Sequence, residues 1–195
     1  KTFDVTYGAN GTSVPAYRTK TWGSTPLWTY GPTGTGASSV SVADIDGDAR
    51  LDVVFGGADG FVYALNETLG FKWRTQVAAG RSVPYTPQIA DVDGDGALDI
   101  VVVTNDPSVV RLNRTGGVLW TRAYALSQIS FSTPVLLDVD DNGVLDVLVG
   151  GRTGTVEALN GTDGTDLWSY PAADWVYSPS LADINADGRA EIFFS

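Results

Sequence analysis

The chain has 195 residues, of which 43% are hydrophobic and 18% are charged, and its formal net charge is −11. No apolar run approaches the ~20 residues of a membrane helix, and the acidity argues against nucleic acid, which needs a basic face. The chain has no cysteine and no histidine, which excludes disulfides, thiolate nucleophiles and the commonest zinc ligand. We therefore expect a globular protein that neither inserts into a membrane nor binds nucleic acid.

The N-terminal segment already shows part of a repeated pattern. Residues 3–11 match residues 51–59, drifting by one position at the turn, and Trp28 then stands where Trp73 stands. We therefore expect the chain to begin at the last position of a loop whose first part is missing. The first residue is Lys1 and no methionine occurs, which suggests a processed chain or a fragment.

A nine-residue acidic stretch is the repeated feature. It occurs at 44–52 (loop one), 91–99 (loop two), 138–146 (loop three) and 183–191 (loop four), at intervals of 47, 47 and 45 residues. A period of this length indicates stacked supersecondary units. The four loops hold 15 of the 23 acidic residues, a concentration at fixed spacing that a merely solubilising acidic surface would not show.

Short strands separated by turns fill the space between the loops. In the second unit we predict strands at 82–90, 98–103, 109–112 and 118–122, and no stretch shows a sustained helical period. The neighbouring units follow the same anatomy, with strands at 53–55, 61–65 and 71–74 and then at 147–149, 155–159 and 166–169. We predict an all-β domain spanning 1–195, a β-propeller or part of one, with about four four-stranded antiparallel blades. The approximate repeat units are 4–51, 52–98, 99–145 and 146–191.

The sequence is compatible with three ways of completing the set of blades. Four units can close as a small ring, or form about half of a larger propeller. Alternatively, a surplus strand can pair with the next molecule and give a dimer or a filament.

The loops carry oxygen ligands at alternating positions. Side chains at positions 1, 3, 5 and 9 and the backbone carbonyl at position 7 can wrap one ion, and Gly at position 4 or 6 permits the tight turn. Oxygen ligands without sulfur or imidazole select Ca²⁺ or Mg²⁺, and a wrapped loop with four or five of them favours Ca²⁺.

We predict about four structural Ca²⁺ ions, whose eight positive charges would bring the formal charge from −11 to −3. Loop four, with fewer formal charges, is expected to bind more weakly than loop two. The predicted ligands are Asp44, Asp46, Asp48, Arg50 and Asp52 in loop one; Asp91, Asp93, Asp95, Ala97 and Asp99 in loop two; Asp138, Asp140, Asn142, Val144 and Asp146 in loop three; and Asp183, Asn185, Asp187, Arg189 and Glu191 in loop four.

These loops, followed by strands such as Val53-Val54-Phe55-Gly56-Gly57, resemble FG-GAP/VCBS repeats. Such repeats form the calcium-binding blades of integrin α-subunit propellers and of many secreted microbial proteins. The stretch from Gly154 to Trp168 also resembles the blade hairpin of PQQ-type propellers. The resemblance covers nearly the whole chain and implies a propeller stabilised by calcium. Integrin propellers usually have seven blades, whereas this chain supplies about four.

Two further sets of residues recur with the repeat. Trp28, Trp73, Trp120 and Trp168 occur once per unit, as expected of side chains that pack between blades. Asn10, Asn66, Asn113 and Asn160 stand in glycosylation sequons on predicted turns, although Asn and Thr also suit such turns without any glycan. Tyr85, Tyr124, Trp175 and Tyr177 fall near the segments between blades, where integrin-like propellers bind their ligands; ordinary loop packing is the alternative.

No catalytic constellation is visible, because nearly all carboxylates are needed as metal ligands. We therefore expect a non-enzymatic extracellular module for binding, adhesion or surface assembly, whose partner is a protein, a carbohydrate or copies of itself. The alternatives are a structural subunit of an extracellular filament and a non-catalytic propeller from a larger secreted enzyme such as a polysaccharide lyase.

Overall fold

The structure is a computed structural model that describes residues 38–124, 132–151 and 154–194. These segments contain β-strands joined by turns and no helix, so none long and apolar enough to cross a membrane. The predicted strand at the N-terminus, together with Trp28 and the Asn10 sequon, lies outside the described residues. The strands are β1 (Ser41–Ala43), β2 (Asp52–Gly56), β3 (Phe61–Leu65), β4 (Phe71–Gln76), β5 (Gln88–Ala90), β6 (Asp99–Val103), β7 (Ser108–Asn113), β8 (Val118–Ala123), β9 (Val135–Leu137), β10 (Asp146–Gly150), β11 (Thr155–Leu159), β12 (Asp166–Pro171), β13 (Ser180–Ala182) and β14 (Glu191–Phe193).

Each sheet is an antiparallel meander of strands that are consecutive in the chain. The described residues form three four-stranded sheets, β1–β4, β5–β8 and β9–β12, and a two-stranded sheet, β13–β14. In every sheet the acidic loop joins the first strand to the second, as the spacing of the repeats predicts. The all-β prediction is therefore confirmed, and the same pattern places four loops at equivalent positions.

The second strand of each complete sheet is the best buried. All five residues of β2, β6 and β10 are buried, as continuous apolar runs predict. The first strands are much shorter than expected: β5 covers only Gln88–Ala90, whereas the sequence predicted a strand from residue 82. Pro84 and Pro87 explain the difference, because neither has an N–H group to donate to a neighbouring strand.

The hydrophobic core lies between successive sheets. Ile45 of loop one packs with Val54 and Val62 of the first sheet, and this group contacts Val83, which precedes β5, and Ile100 of the second sheet. A second cluster joins the second sheet to the third, and a third cluster joins the third sheet to β13 and β14. The short first strands β1, β5 and β9 lie next to one another. The sheets therefore stack face to face around their first strands.

The repeated tryptophans pack between sheets, as predicted. The Trp73 indole N–H donates to the Arg114 carbonyl of the next sheet at 2.9 Å, and Trp120 donates to the Gly161 carbonyl at 2.9 Å. Trp168 packs against the cluster between the third sheet and β13–β14.

The asparagines of the described sequons organise hairpin turns. The Asn66 side-chain oxygen accepts hydrogen bonds from the Gly70 N–H at 2.6 Å and the Thr68 hydroxyl at 2.9 Å. Asn113 makes the corresponding bonds to Gly117 and Thr115. The turn geometry thus gives these residues a structural role, and their glycosylation stays a prediction.

Candidate metal centres

The four acidic loops share one backbone conformation, which their first carboxylate organises. In loop one, Asp44 accepts the N–H groups of Gly47 at 2.8 Å and Ala49 at 2.8 Å. Position 1 of each other loop likewise accepts the N–H of position 6, at Gly96, Gly143 and Gly188. The side chain at position 5 accepts the N–H of position 7 in all four loops. These bonds curl each loop so that its side-chain oxygens face inward.

The chain is left-handed at positions 4 and 6 of every loop. Position 6 has φ 66° at Ala49 and 85° to 90° at the glycines of the other three loops. Position 4 is Gly47 or Gly94 in the first two loops, but Asp141 (φ 60°) and Ala186 (φ 59°) in the last two. Glycine is the residue that adopts this conformation without strain, which explains the Gly pattern seen in the sequence.

The last carboxylate of each loop connects the loop to the strand that follows it, and this strand is buried after loops one, two and three. The side chains of Asp52, Asp99, Asp146 and Glu191 each accept the N–H of the second loop residue, at 2.8 to 3.2 Å. Asp52, Asp99 and Asp146 are buried. Burial raises the pKa of Asp146 and of Asp99, because desolvation disfavours the charged carboxylate.

In every loop, three carboxylates come close enough to share one ion. One oxygen from each of three residues lies within 4.8 Å of the others in each loop. Asp95 and Asp52 are not in these groups, although the sequence predicts both as ligands. The side chains of Arg50 and Arg189 pair with Glu67 and Asp141. The gathered residues are Asp44, Asp46 and Asp48; Asp91, Asp93 and Asp99; Asp138, Asp140 and Asp146; and Asp183, Asp187 and Glu191.

The donor chemistry fits a hard divalent cation. All the gathered ligands are carboxylates, which favour Ca²⁺ or Mg²⁺. In loop two, one buried oxygen of Asp91 and one of Asp93 have no hydrogen-bond partner. Unpaired buried anionic oxygens are costly, and a bound cation would satisfy them.

Two basic side chains that sequence reasoning missed enter loops one and two. The Lys72 ammonium lies 2.5 Å from Asp46 and 2.8 Å from Asp52. The Arg111 guanidinium lies 2.5 Å from Asp93 and 2.6 Å from Asp99. Hydrogen bonding to Lys72 lowers the pKa of Asp46, and hydrogen bonding to Arg111 lowers that of Asp93. A signal was available for Arg111, since an arginine in the otherwise apolar run of β7 requires a buried acidic partner.

The aromatic residues near the segments between sheets divide into two pairs. Tyr85 and Tyr124 pack against the apolar cluster between the second and third sheets. Trp175 and Tyr177 are 46% and 54% exposed. Ordinary packing thus accounts for the first pair, and only the second pair presents an aromatic surface.

Stacked four-stranded meanders with an acidic loop after each first strand define a β-propeller or part of one. A profile of the FG-GAP-like repeat matches residues 46–102, 91–149 and 138–194, which together make up most of the chain. The chain therefore belongs to the FG-GAP-like repeat family, as its resemblance to these repeats predicted.

Solved structures support the same fold. The chain is similar to BamB from Moraxella catarrhalis, with TM-score 0.63 and 20% identity over 89% of this chain and 54% of that one. It is also similar to BBS1N, crystallised in complex with ARL6DN, with TM-score 0.58 and 14% identity over 82% of this chain and 47% of that one. The Pan2 WD40 domain of Neurospora crassa gives TM-score 0.55 and 15% identity over 74% of this chain and 40% of that one. The chain thus spans about half the length of these structures, or less. No curated protein sequence matches the chain significantly.

Proposed function

We propose that the chain is an extracellular, calcium-stabilised propeller module that binds a protein or carbohydrate partner and does no catalysis. The observation that carries the proposal is the gathering of three carboxylates in every loop, at the entrance to the second strand. An ion there would tie the first strand of a sheet to the second and offset the mutual repulsion of the carboxylates. Exposed oxygen-ligand sites of this kind fill where calcium is plentiful, which favours a location outside the cell.

Calcium binding is tested by native mass spectrometry and thermal unfolding, in calcium and after chelation. An ion that binds only the folded state adds about 2.7 kcal/mol to the free energy of unfolding when its free concentration is about 100 times its Kd. For a chain of this size each kcal/mol raises Tm by about 2–4 °C. We expect bound ions and a higher Tm in calcium, with a smaller response to magnesium. An unchanged mass and an unchanged Tm would refute the proposal.

The binding role is supported by the exposed aromatic pair Trp175 and Tyr177. Aromatic faces supply large contact area for both sugars and proteins. Tryptophan fluorescence titrations against a panel of oligosaccharides, with Trp175→Ala and Tyr177→Ala as variants, test the carbohydrate case. Saturable binding that both variants weaken supports it, whereas calcium-dependent oligomers without sugar binding would favour an assembly role.

A further inference from the structure

We propose that Lys72 and Arg111 are built-in cations that compete with the metal ion in loops one and two, so that calcium binds first to loops three and four. This inference rests on the proposed calcium binding of the chain. It explains why four loops of similar sequence would bind calcium with unequal affinity.

In loop one, the ammonium group of Lys72 contacts two of the predicted ligands, Asp46 and Asp52, and Asp46 belongs to the gathered group of this loop. Its nitrogen is 2.5 Å from an oxygen of Asp46 and 2.8 and 2.9 Å from the two oxygens of Asp52. Ca²⁺–oxygen distances are about 2.3–2.6 Å, so an ion held by the gathered group and the ammonium would both contact Asp46 at similar distances. Since both are positively charged, they cannot share these ligands without strong repulsion.

In loop two, Arg111 is held more firmly. One terminal nitrogen binds Asp93 and Asp99, and the other donates to the carbonyls of Gly161 and Thr162 in the next sheet, at 3.1 and 3.2 Å. Arg111 is only 1% exposed, so it has no path into solvent. The Lys72 side chain is 18% exposed and has a flexible stem, so it can swing out when an ion enters.

The basic residues occur where the ligand charge is highest. Loops one and two have carboxylates at all four side-chain ligand positions, whereas loop three has Asn142 and loop four has Asn185 in place of one. One basic side chain therefore brings the first two loops to the same net ligand charge as the last two. The expectation that loop four binds more weakly than loop two counted the ligands alone and left out these internal cations.

The other sheets show what the same positions hold when no internal cation is present. Arg111 pairs with Val101 across the strands, and the equivalent pairs are Val54 with Ala64 and Leu148 with Ala158. Lys72 precedes Trp73 on the fourth strand, and the residues that precede the equivalent tryptophans are Leu119 and Leu167. In the described part of the chain, no lysine or arginine pairs with a ligand carboxylate of loop three or loop four. The equivalent residues of the other repeats therefore indicate which substitutions remove an internal cation or introduce one.

Native mass spectrometry over a calcium chloride titration tests the inference on the full chain. In the wild type we expect two ions at low calcium and further ions only at about tenfold higher concentration or more. Lys72→Leu and Arg111→Ala should each raise the number of ions bound at low calcium from two to three. Ala158→Arg should lower that number from two to one. Arg122→Ala is the matched control, because it breaks an exposed ion pair with Asp166 away from the loops. The number of ions bound at each calcium concentration should stay as in the wild type.

The outcomes separate this inference from the proposed function. Ions that bind in one class of equal affinity, unchanged by Lys72→Leu, would overturn the inference and leave the calcium proposal intact. Lys72→Leu changes a side chain near the surface, so it keeps the test valid if Arg111→Ala fails to fold. Absence of calcium from the wild type and all variants would overturn the proposed function itself.

Discussion

Replacing Ala49 by glycine should stabilise the protein, because Ala49 is the only non-glycine at position 6 of the four loops and has φ 66°. A left-handed conformation costs a residue with a Cβ about 1–2 kcal/mol. Glycine removes that strain but makes the unfolded chain more flexible, at a cost of about 0.4–1 kcal/mol. Taken at the centre of both ranges, the net gain for Ala49→Gly is about 0.8 kcal/mol, or about 2–3 °C in Tm.

Urea unfolding in the presence of a chelator measures this effect without a contribution from bound metal. The reverse variant, Gly96→Ala, is the matched control, since a Cβ at Gly96 would meet no atom within 4 Å and only backbone strain would change. It should lose a similar free energy. A destabilised Ala49→Gly together with an unaffected Gly96→Ala would refute the argument from backbone conformation.

Three further predictions concern the described sheets. Burial and a hydrogen bond to Asp59 raise the pKa of Tyr63 from 10.0 to about 12, so the folded state holds the neutral phenol. Its contribution to stability is complete below pH 10 and is lost as the pH rises towards 12, and ultraviolet titration of Asp59→Asn should show a lower pKa. Trp120→Phe removes the indole bond to Gly161 and part of a buried ring, and should cost about 1–3 kcal/mol in urea unfolding; an unchanged midpoint would contradict the role of Trp120 between sheets. Gly161→Ala places a Cβ 1.9 Å from the Leu145 carbonyl and should lower Tm by several degrees, a result that a wild-type melting curve would contradict.

The sequence predicts the strands well wherever apolar runs and turn residues coincide. Strand β3 has its predicted bounds, and β2 and β10 each extend one residue beyond theirs at both ends. The first strands are less predictable, since Pro84 and Pro87 sit in a segment whose apolar residues suggest a longer strand. Local pattern reports which residues are apolar, but pairing depends on which N–H groups can reach a neighbour.

The sequence predicts that each loop forms a ligand group, but it does not predict which residues from other strands contact the loops. Carboxylates at fixed positions indicate one ligand group per loop, and the structure gathers three carboxylates in each. The contacts of Arg111 with Asp99 and with Gly161 arise only when strands β6 and β7 pair and the next sheet packs against them. Such contacts depend on tertiary packing, so the spacing of residues in the chain does not reveal them.

The buried carboxylate at position 9 makes the balance of charge in each loop a structural requirement. Burial of Asp99 and Asp146 disfavours their charged forms and raises their pKa, an effect that a nearby positive charge offsets. Asp99 has Arg111 at 2.6 Å, which comes with the fold. Asp146 accepts N–H groups from Val139 and Gly161 but pairs with no lysine or arginine in the described segments. Under the proposed calcium binding, a divalent cation would supply that positive charge, and we expect its contribution to the free energy of unfolding to be largest at loop three.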